Sequence, residues 1–239
     1  VARKAGIVRP EESLSFLGFG TMNGKDGKPF KTRAGGVMRL ELLIKEICDS
    51  VYDKIRASRD ESEISDAEAA EIAKTVGLAA LKYGDLQNQA SKDYVFDIDR
   101  FTSFEGNTGP YILYTIVRIG SILNKCGESV VDAAVNADDA RLKAQLEAVT
   151  DIPAVKALSL VLTRYNEVIP SEWEQLAPHK ICQFIYELSD AFNTFYHDVK
   201  ILTEEDELKK AGYICMLSLT KRVLNDCIHM LGFTAPDKM

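Results

Sequence analysis

Apolar positions recur every three or four residues along most of this chain, the spacing that places them on one face of a helix. Leu40, Ile44, Ile47 and Val51 share such a stripe and predict a helix over residues 37–55. Ser65 and Glu68 have capping-box spacing and open a second helix that reaches about Tyr83, with alanines at 69, 70, 73, 79 and 80 that permit close packing. After the turn Glu105-Gly106-Asn107-Thr108-Gly109 comes a third, with Thr108 as cap, Pro110 in the first turn, and Ile112, Ile116, Ile119 and Leu123 as its core stripe. A helical hairpin is expected over 139–148 and 153–168, and long helices over 179–197 and 206–231, the last closed by Gly232. Ser171 and Glu174 read as a further capping box just before Leu176, and Pro178 allows only a short helix or a kink there. Leu14–Phe19 reads as a short buried strand, 93–99 as an extended piece and Val130-Val131 as a brief apolar segment. From residue 105 onward the chain therefore reads as a helix bundle with short connections and no repeat of fixed period.

Composition narrows the class without naming a function. With 239 residues, 46% of them apolar and 27% charged, the chain can bury one large core or two small ones. Charge interrupts every apolar run, so no membrane span is expected. The five cysteines, Cys48, Cys126, Cys182, Cys215 and Cys227, form no CxxC pair and suit core positions in a reducing compartment. His179, His197 and His229 are as widely dispersed and predict no metal. The net charge of -7 is uneven: residues 1–40 carry eight basic and three acidic side chains, whereas 41–104 and 105–239 are each net acidic by six. The chain opens at Val1 in a polar segment, which fits a processed protein or a piece of a longer chain.

The basic excess falls on the glycine-rich stretch TMNGKDGKPFKTRAGG at 21–36, a length that marks a loop as functional or disordered. Lys25, Lys28, Lys31 and Arg33, with Thr32 and mobile backbone amides, suit a triphosphate whose charge separates during reaction. The stretch does not match a P-loop, and from the residues alone a solvated hairpin turning at Asp26-Gly27 is the better reading. On the third helix Tyr111, Tyr114 and Arg118 lie about a third of a turn from the core stripe. Two rings and a guanidinium can stack on bases and meet phosphate, or can be snorkelling tyrosines beside a surface arginine. Asp93, Asp97, Asp99 and Glu105 lack the ordered pattern of a calcium loop, and no metal site is expected.

Four stretches go beyond periodicity: FGTMNGKDGKPFKTRAGG from Phe19, YVFDIDRFTSFEGNTGPYILY from Tyr94, FNTFYH from Phe192, and the ending LGFTAPDKM. Together, and in their spacing, they resemble the C-terminal portion of the arginyl-tRNA synthetases, a class I aminoacyl-tRNA synthetase family. The resemblance implies a mainly α fold: the C-terminal edge of an α/β nucleotide-binding catalytic domain over 1–105, then an all-α anticodon-binding helix bundle over 106–239. It makes the glycine-rich stretch the mobile signature loop, with Lys31-Thr32-Arg33 where many class I enzymes carry a lysine-methionine-serine-lysine-serine loop, a pattern from which this sequence departs.

By that resemblance Lys28, Lys31 and Arg33 are the catalytic candidates, and Lys25, Lys28, Lys31 and Thr32 the contacts to ATP phosphates, Lys31 foremost and Lys28 assisting. Tyr111, Tyr114, Arg118, Tyr196 and Met239 are the expected tRNA contacts. The implied partners are arginine-accepting tRNA, and arginine and ATP with Mg2+ in the full-length enzyme, which activates arginine and esterifies it to the 3' end of its tRNA. A cytoplasmic monomer without structural metal or membrane attachment is expected. The N-terminal catalytic half is not recognised in this sequence, so the chain alone is expected to be inactive. Two alternatives remain: a synthetase-derived helical protein-interaction module without RNA binding, and a plain adapter in which Tyr111, Tyr114 and Tyr196 are buried.

Overall fold

The computed structural model describes residues 1–29, 39–59 and 63–239. Helices α1 (Leu40–Ser58) and α2 (Asp66–Leu86) pack along each other. The Ser65 hydroxyl caps α2 by accepting the Glu68 amide at 3.3 Å, as the capping-box spacing requires. Strand β1 (Met22–Asn23) pairs in parallel with β2 (Tyr94–Val95), and helix α3 (Ile98–Phe101) follows. Leu43, Ile47, Ala80, Leu81, Phe96 and Phe101 form a small core between these elements.

The bundle consists of α4 (Gly109–Cys126), α5 (Glu128–Val135), α6 (Asp139–Glu147), α7 (Pro153–Thr163), α8 (Tyr165–Gln175), α9 (Pro178–Asp198) and α10 (Glu207–Met230). Helix α10 runs against α4, α5, α6, α7 and α9. Its end is a Schellman turn: Gly232 takes φ 81°, its amide reaches the His229 carbonyl, and the Phe233 amide reaches Ile228. Ile112, Ile116 and Ile119 of α4 are buried as the apolar stripe demands, and they join Val51, Ile55, Val76 and Ala79 of the first two helices in one large core. Helices α1 and α2 thus feed both cores, which fixes α4 relative to the β1–β2 edge.

The approach of α2 to α4 is close. Gly109 rests on the Ala79 carbonyl, where an added Cβ would sit 2.5 Å from the oxygen. The buried Tyr83 hydroxyl donates to the Cys182 carbonyl at 2.8 Å and lies 2.5 Å from the Asn107 side-chain amide, tying α2 to α9 and to the turn before α4.

Several elements differ from the sequence expectation. Leu14–Phe19 is not a buried strand: Leu14, Phe16, Leu17 and Phe19 are exposed, because no strand among the described residues pairs with this backbone, and the short β1 begins only at Met22. Val130 and Val131 lie inside α5, and Ser171 lies inside α8 instead of capping a helix before Leu176. There its hydroxyl accepts the Gln175 side-chain amide one turn on, while Pro170 is carried within the helix. Pro178 starts the 21-residue α9, since a proline in the first turn has no helical hydrogen bond to lose.

Candidate nucleic-acid interface

Helices α4 and α9 lie side by side and bring Tyr114, Arg118 and Tyr196 onto one surface. Tyr114 is 39% exposed and Tyr196 42% exposed, so the buried-tyrosine condition of a plain adapter is not met for either. The Arg118 guanidinium carbon lies 4.5 Å from the Tyr114 ring centroid and 5.6 Å from that of Tyr196, within cation–π range of both. Its Nη2 also donates to the Tyr114 hydroxyl at 2.7 Å. Tyr196 stacks at 18° on the buried ring of Phe192, which backs it from the core side.

Tyr111 occupies a different setting from Tyr114. It is partly buried beside Tyr186, its hydroxyl donates to Asp190 Oδ1 at 2.6 Å and it accepts from Asn193 Nδ2 at 2.7 Å. Burial, reinforced by the bond to the Asp190 carboxylate, pushes its phenol above the usual tyrosine range. Tyr111 therefore buttresses the surface from below, while Tyr114 offers a ring to solvent.

Met239 meets Tyr114 across a cavity of about 390 Å³, walled by Ile55, Ile64 and Phe104 with Lys54 and Arg59 at its polar side. That volume falls within the about 300–1,000 Å³ of typical ligand pockets. The Arg59 guanidinium donates to the Met239 main-chain oxygen, and Lys238 pairs with Glu68, so the last residues are tied to α1 and α2. Lys54 donates to the Thr102 hydroxyl at 2.6 Å, and partial burial lowers the pKa of its ammonium despite Asp99 and Asp97 nearby. Lys54, Arg59, Phe104 and Asn193 were not singled out from sequence. Phe104 and Asn193 sit inside the diagnostic stretches SFEGN and FNTFYH, but Lys54 and Arg59 are more than fifty residues from Tyr114 and carry no local signal.

The glycine-rich stretch is described only to Pro29, so Lys31, Thr32 and Arg33 lie outside the described residues. Its first part is a tight turn with Gly27 at φ 71° and the Gly24 amide donating to the Lys28 carbonyl at 2.8 Å. Lys28 is exposed, without a side-chain partner among the described residues. Lys25 bridges Asp97 Oδ1 at 3.0 Å and Asp99 Oδ2 at 3.3 Å. The hydrogen bond to Asp97, then that to Asp99, raises the Lys25 pKa. Asp93 holds the Thr21 amide at 2.7 Å. These aspartates are engaged in pinning the base of the loop, and among the described residues no group of three His, Cys, Asp or Glu is placed to hold a metal. No helix among the described residues is long and apolar enough to cross a membrane.

Comparison with known proteins bears on both halves of the chain. The family described as "DALR anticodon binding domain" matches residues 112–239, and "tRNA synthetases class I (R), catalytic domain" matches residues 1–98. An arginine--tRNA ligase of Agathobacter rectalis is 60% identical across the whole chain, and one of Alkaliphilus oremlandii 50% identical. The chain spans only 39% and 38% of the length of these relatives. The structure of Thermus thermophilus arginyl-tRNA synthetase superposes with a TM-score of 0.75 at 22% identity, over 93% of this chain and 35% of that one, a likeness of fold. The bundle that carries Tyr114, Arg118 and Tyr196 is thus the DALR anticodon-binding domain, and the chain belongs to the arginyl-tRNA synthetase family, of which it carries the C-terminal part.

Proposed function

We propose that this chain is the tRNA-reading part of an arginine--tRNA ligase, with residues 106–239 binding the anticodon loop and residues 1–105 contributing the end of the catalytic domain. In the full-length protein the reaction would be activation of arginine by ATP, followed by esterification of arginine to the 3' end of its tRNA. The observation that carries the reading is the guanidinium of Arg118 held between two exposed rings, beside a cavity that Tyr114 and Met239 share. Exposed rings accept unstacked bases, a guanidinium meets the backbone phosphate between them, and an apolar cavity with cations on one side can take a base turned out of the loop. Tyr114, Tyr196 and Met239 supply contact surface, Arg118 supplies charge, and Tyr111 holds α4 against α9 beneath them.

The basic loop would close on ATP through Lys28, Lys31, Thr32 and Arg33, with Lys25 available only if it leaves its two aspartates. Mg2+ would arrive with ATP as part of the substrate; Asp97 and Asp99 are compensated by Lys25 and do not suit it. On this reading the protein acts in the cytoplasm as a monomer.

Titration of arginine-accepting tRNA against wild type and Tyr114→Ala over a salt series tests it. Loss of a stacked base should weaken binding by about 1–3 kcal/mol at every salt concentration. Equal binding by wild type and variant would remove Tyr114 from the surface, and equal binding of unrelated tRNA would remove the claim of specificity.

A further inference from the structure

Beneath the exposed rings runs a hydrogen-bond chain with only one consistent direction. Arg118 Nη1 can only donate, so the Asn193 atom facing it at 3.0 Å must be Oδ1. The Asn193 amide nitrogen then faces Tyr111 and donates to its hydroxyl at 2.7 Å. That hydroxyl spends its own proton on Asp190 Oδ1 at 2.6 Å. The guanidinium is thereby fixed by a neutral amide, while the carboxylate that ends the chain, Asp190, is kept three hydrogen bonds away. Among the described residues no carboxylate forms an ion pair with Arg118, although residues 105–239 carry a net charge of -6 and α9 itself contributes Glu187, Asp190 and Asp198.

We propose that Asn193 is a positioning residue that sets the Arg118 guanidinium between Tyr114 and Tyr196 while leaving its full charge for an RNA phosphate. The inference rests on the anticodon-binding reading above and deepens it: a carboxylate at position 193 would orient the arginine equally well and cancel its charge. The geometry leaves little freedom in how this is done. An oxygen at the Oδ1 position is needed for the arginine and a donor at Nδ2 for Tyr111, and the amide divides these two roles between its two terminal atoms.

The test is fluorescence-anisotropy titration of the anticodon stem-loop of arginine-accepting tRNA against this chain over a salt series, with thermal unfolding alongside. Arg118→Ala should weaken binding and make the slope of log K against log salt shallower by about 0.7, the value for one phosphate contact on a single strand. Asn193→Asp keeps an acceptor for Arg118 but loses the donor to Tyr111, so it should lower the unfolding temperature, lose about tenfold in affinity at low salt and show the same shallower slope. Asn193→Ser, too short to reach both partners, should lose affinity while keeping the wild-type slope, since the charge is intact but no longer held. A role in packing alone would move the unfolding temperature and leave the slope untouched. If Asn193→Asp binds with wild-type affinity and slope while Arg118→Ala is impaired, the positioning role is overturned and the RNA surface stands. If Arg118→Ala also binds as wild type, the surface itself is wrong.

Discussion

Replacing Gly109 by alanine tests whether the contact of α2 with α4 positions the proposed RNA-reading surface. The added Cβ would lie 2.5 Å from the Ala79 carbonyl oxygen, 2.7 Å from its carbon and 3.0 Å from the Ala80 nitrogen. An ordinary carbon–oxygen contact needs about 3.3–3.6 Å, so the two backbones must separate by close to 1 Å. No side chain can swing away to relieve this, because the obstructing atoms are the main chain of α2 at two residues with no solvent exposure. Forcing an extra carbon into such a site costs about 1–3 kcal/mol, and the gain in helix propensity from Gly to Ala offsets at most about 1 kcal/mol of it, less at the helix start. A net loss of about 1–2 kcal/mol should appear as a lowered urea midpoint with unchanged m, and as a melting temperature lower by about 2–4 °C per kcal/mol for a domain of this size.

Tyr114 and Arg118 ride on the same helix, so anticodon stem-loop binding should fall with stability. Gly18→Ala is the control: only the Phe16 ring, at 3.7 Å, meets its Cβ, and stability should stay within about 0.5 kcal/mol of wild type. A Gly109→Ala protein as stable as wild type, binding RNA with wild-type affinity, would refute the account of α4 as a rigidly seated platform.

Three further outcomes follow from the same structure. Tyr83→Phe removes the buried hydroxyl that faces both Cys182 and Asn107, and should destabilise by about 1–2 kcal/mol in urea titration while leaving helix content unchanged. The Asp97 carboxyl is pushed up by burial but is held below its usual range, because the Lys25 bond and the Arg100 and Asp99 amides together outweigh that burial. A carboxyl lowered in the folded state contributes stability above its unfolded value near 3.8, and loses it as pH falls through the lower folded value. The acid limb of the stability–pH curve should therefore be less steep in Asp97→Asn. Burial pushes the Cys227 thiol up to about 12 and the Cys182 thiol higher still, so native alkylation at pH 8 should spare both while all five cysteines react in urea, as peptide mass spectrometry would report.

The helices were legible because their signals are local. The Ser65–Glu68 spacing, the Thr108 cap with Pro110, and the Gly232 terminus each turned out as the chemistry of those residues requires. The errors arose where a tertiary partner decides the outcome. Leu14–Phe19 has the apolar content of a buried strand, but a strand exists only where another backbone pairs with it, and β1 lies instead at Met22–Asn23. The rings at 111 and 114 looked equivalent by spacing, yet α9 supplies Asp190 and Asn193 to one and leaves the other exposed. The signature stretches pointed to α4 and α9, which the structure sets side by side, while the wall provided by Lys54 and Arg59 could not be read, since the α1–α4 neighbourhood is a product of packing and not of sequence distance.

The charge of the bundle makes the single oriented arginine more consequential than it would be on a basic protein. A domain with net charge -6 repels RNA at long range, so it gains little from the diffuse counterion release that drives non-specific binding. On the proposed reading, affinity would come from contacts that form only when the loop is correctly seated: bases on Tyr114 and Tyr196, a base in the cavity beside Met239, and one phosphate on Arg118. If the surface binds RNA as proposed, misplaced phosphates would meet the carboxylates that α9 carries, Asp190 and Asp198 among them. Neutralising those acids should thus raise binding of every RNA and narrow the difference between them. Asp190→Asn with Asp198→Asn, titrated against arginine-accepting and unrelated stem-loops, should bind both more tightly with a reduced ratio. An unchanged ratio would mean that discrimination lies wholly in the stacked bases, and that the acidic composition of the bundle has no part in it.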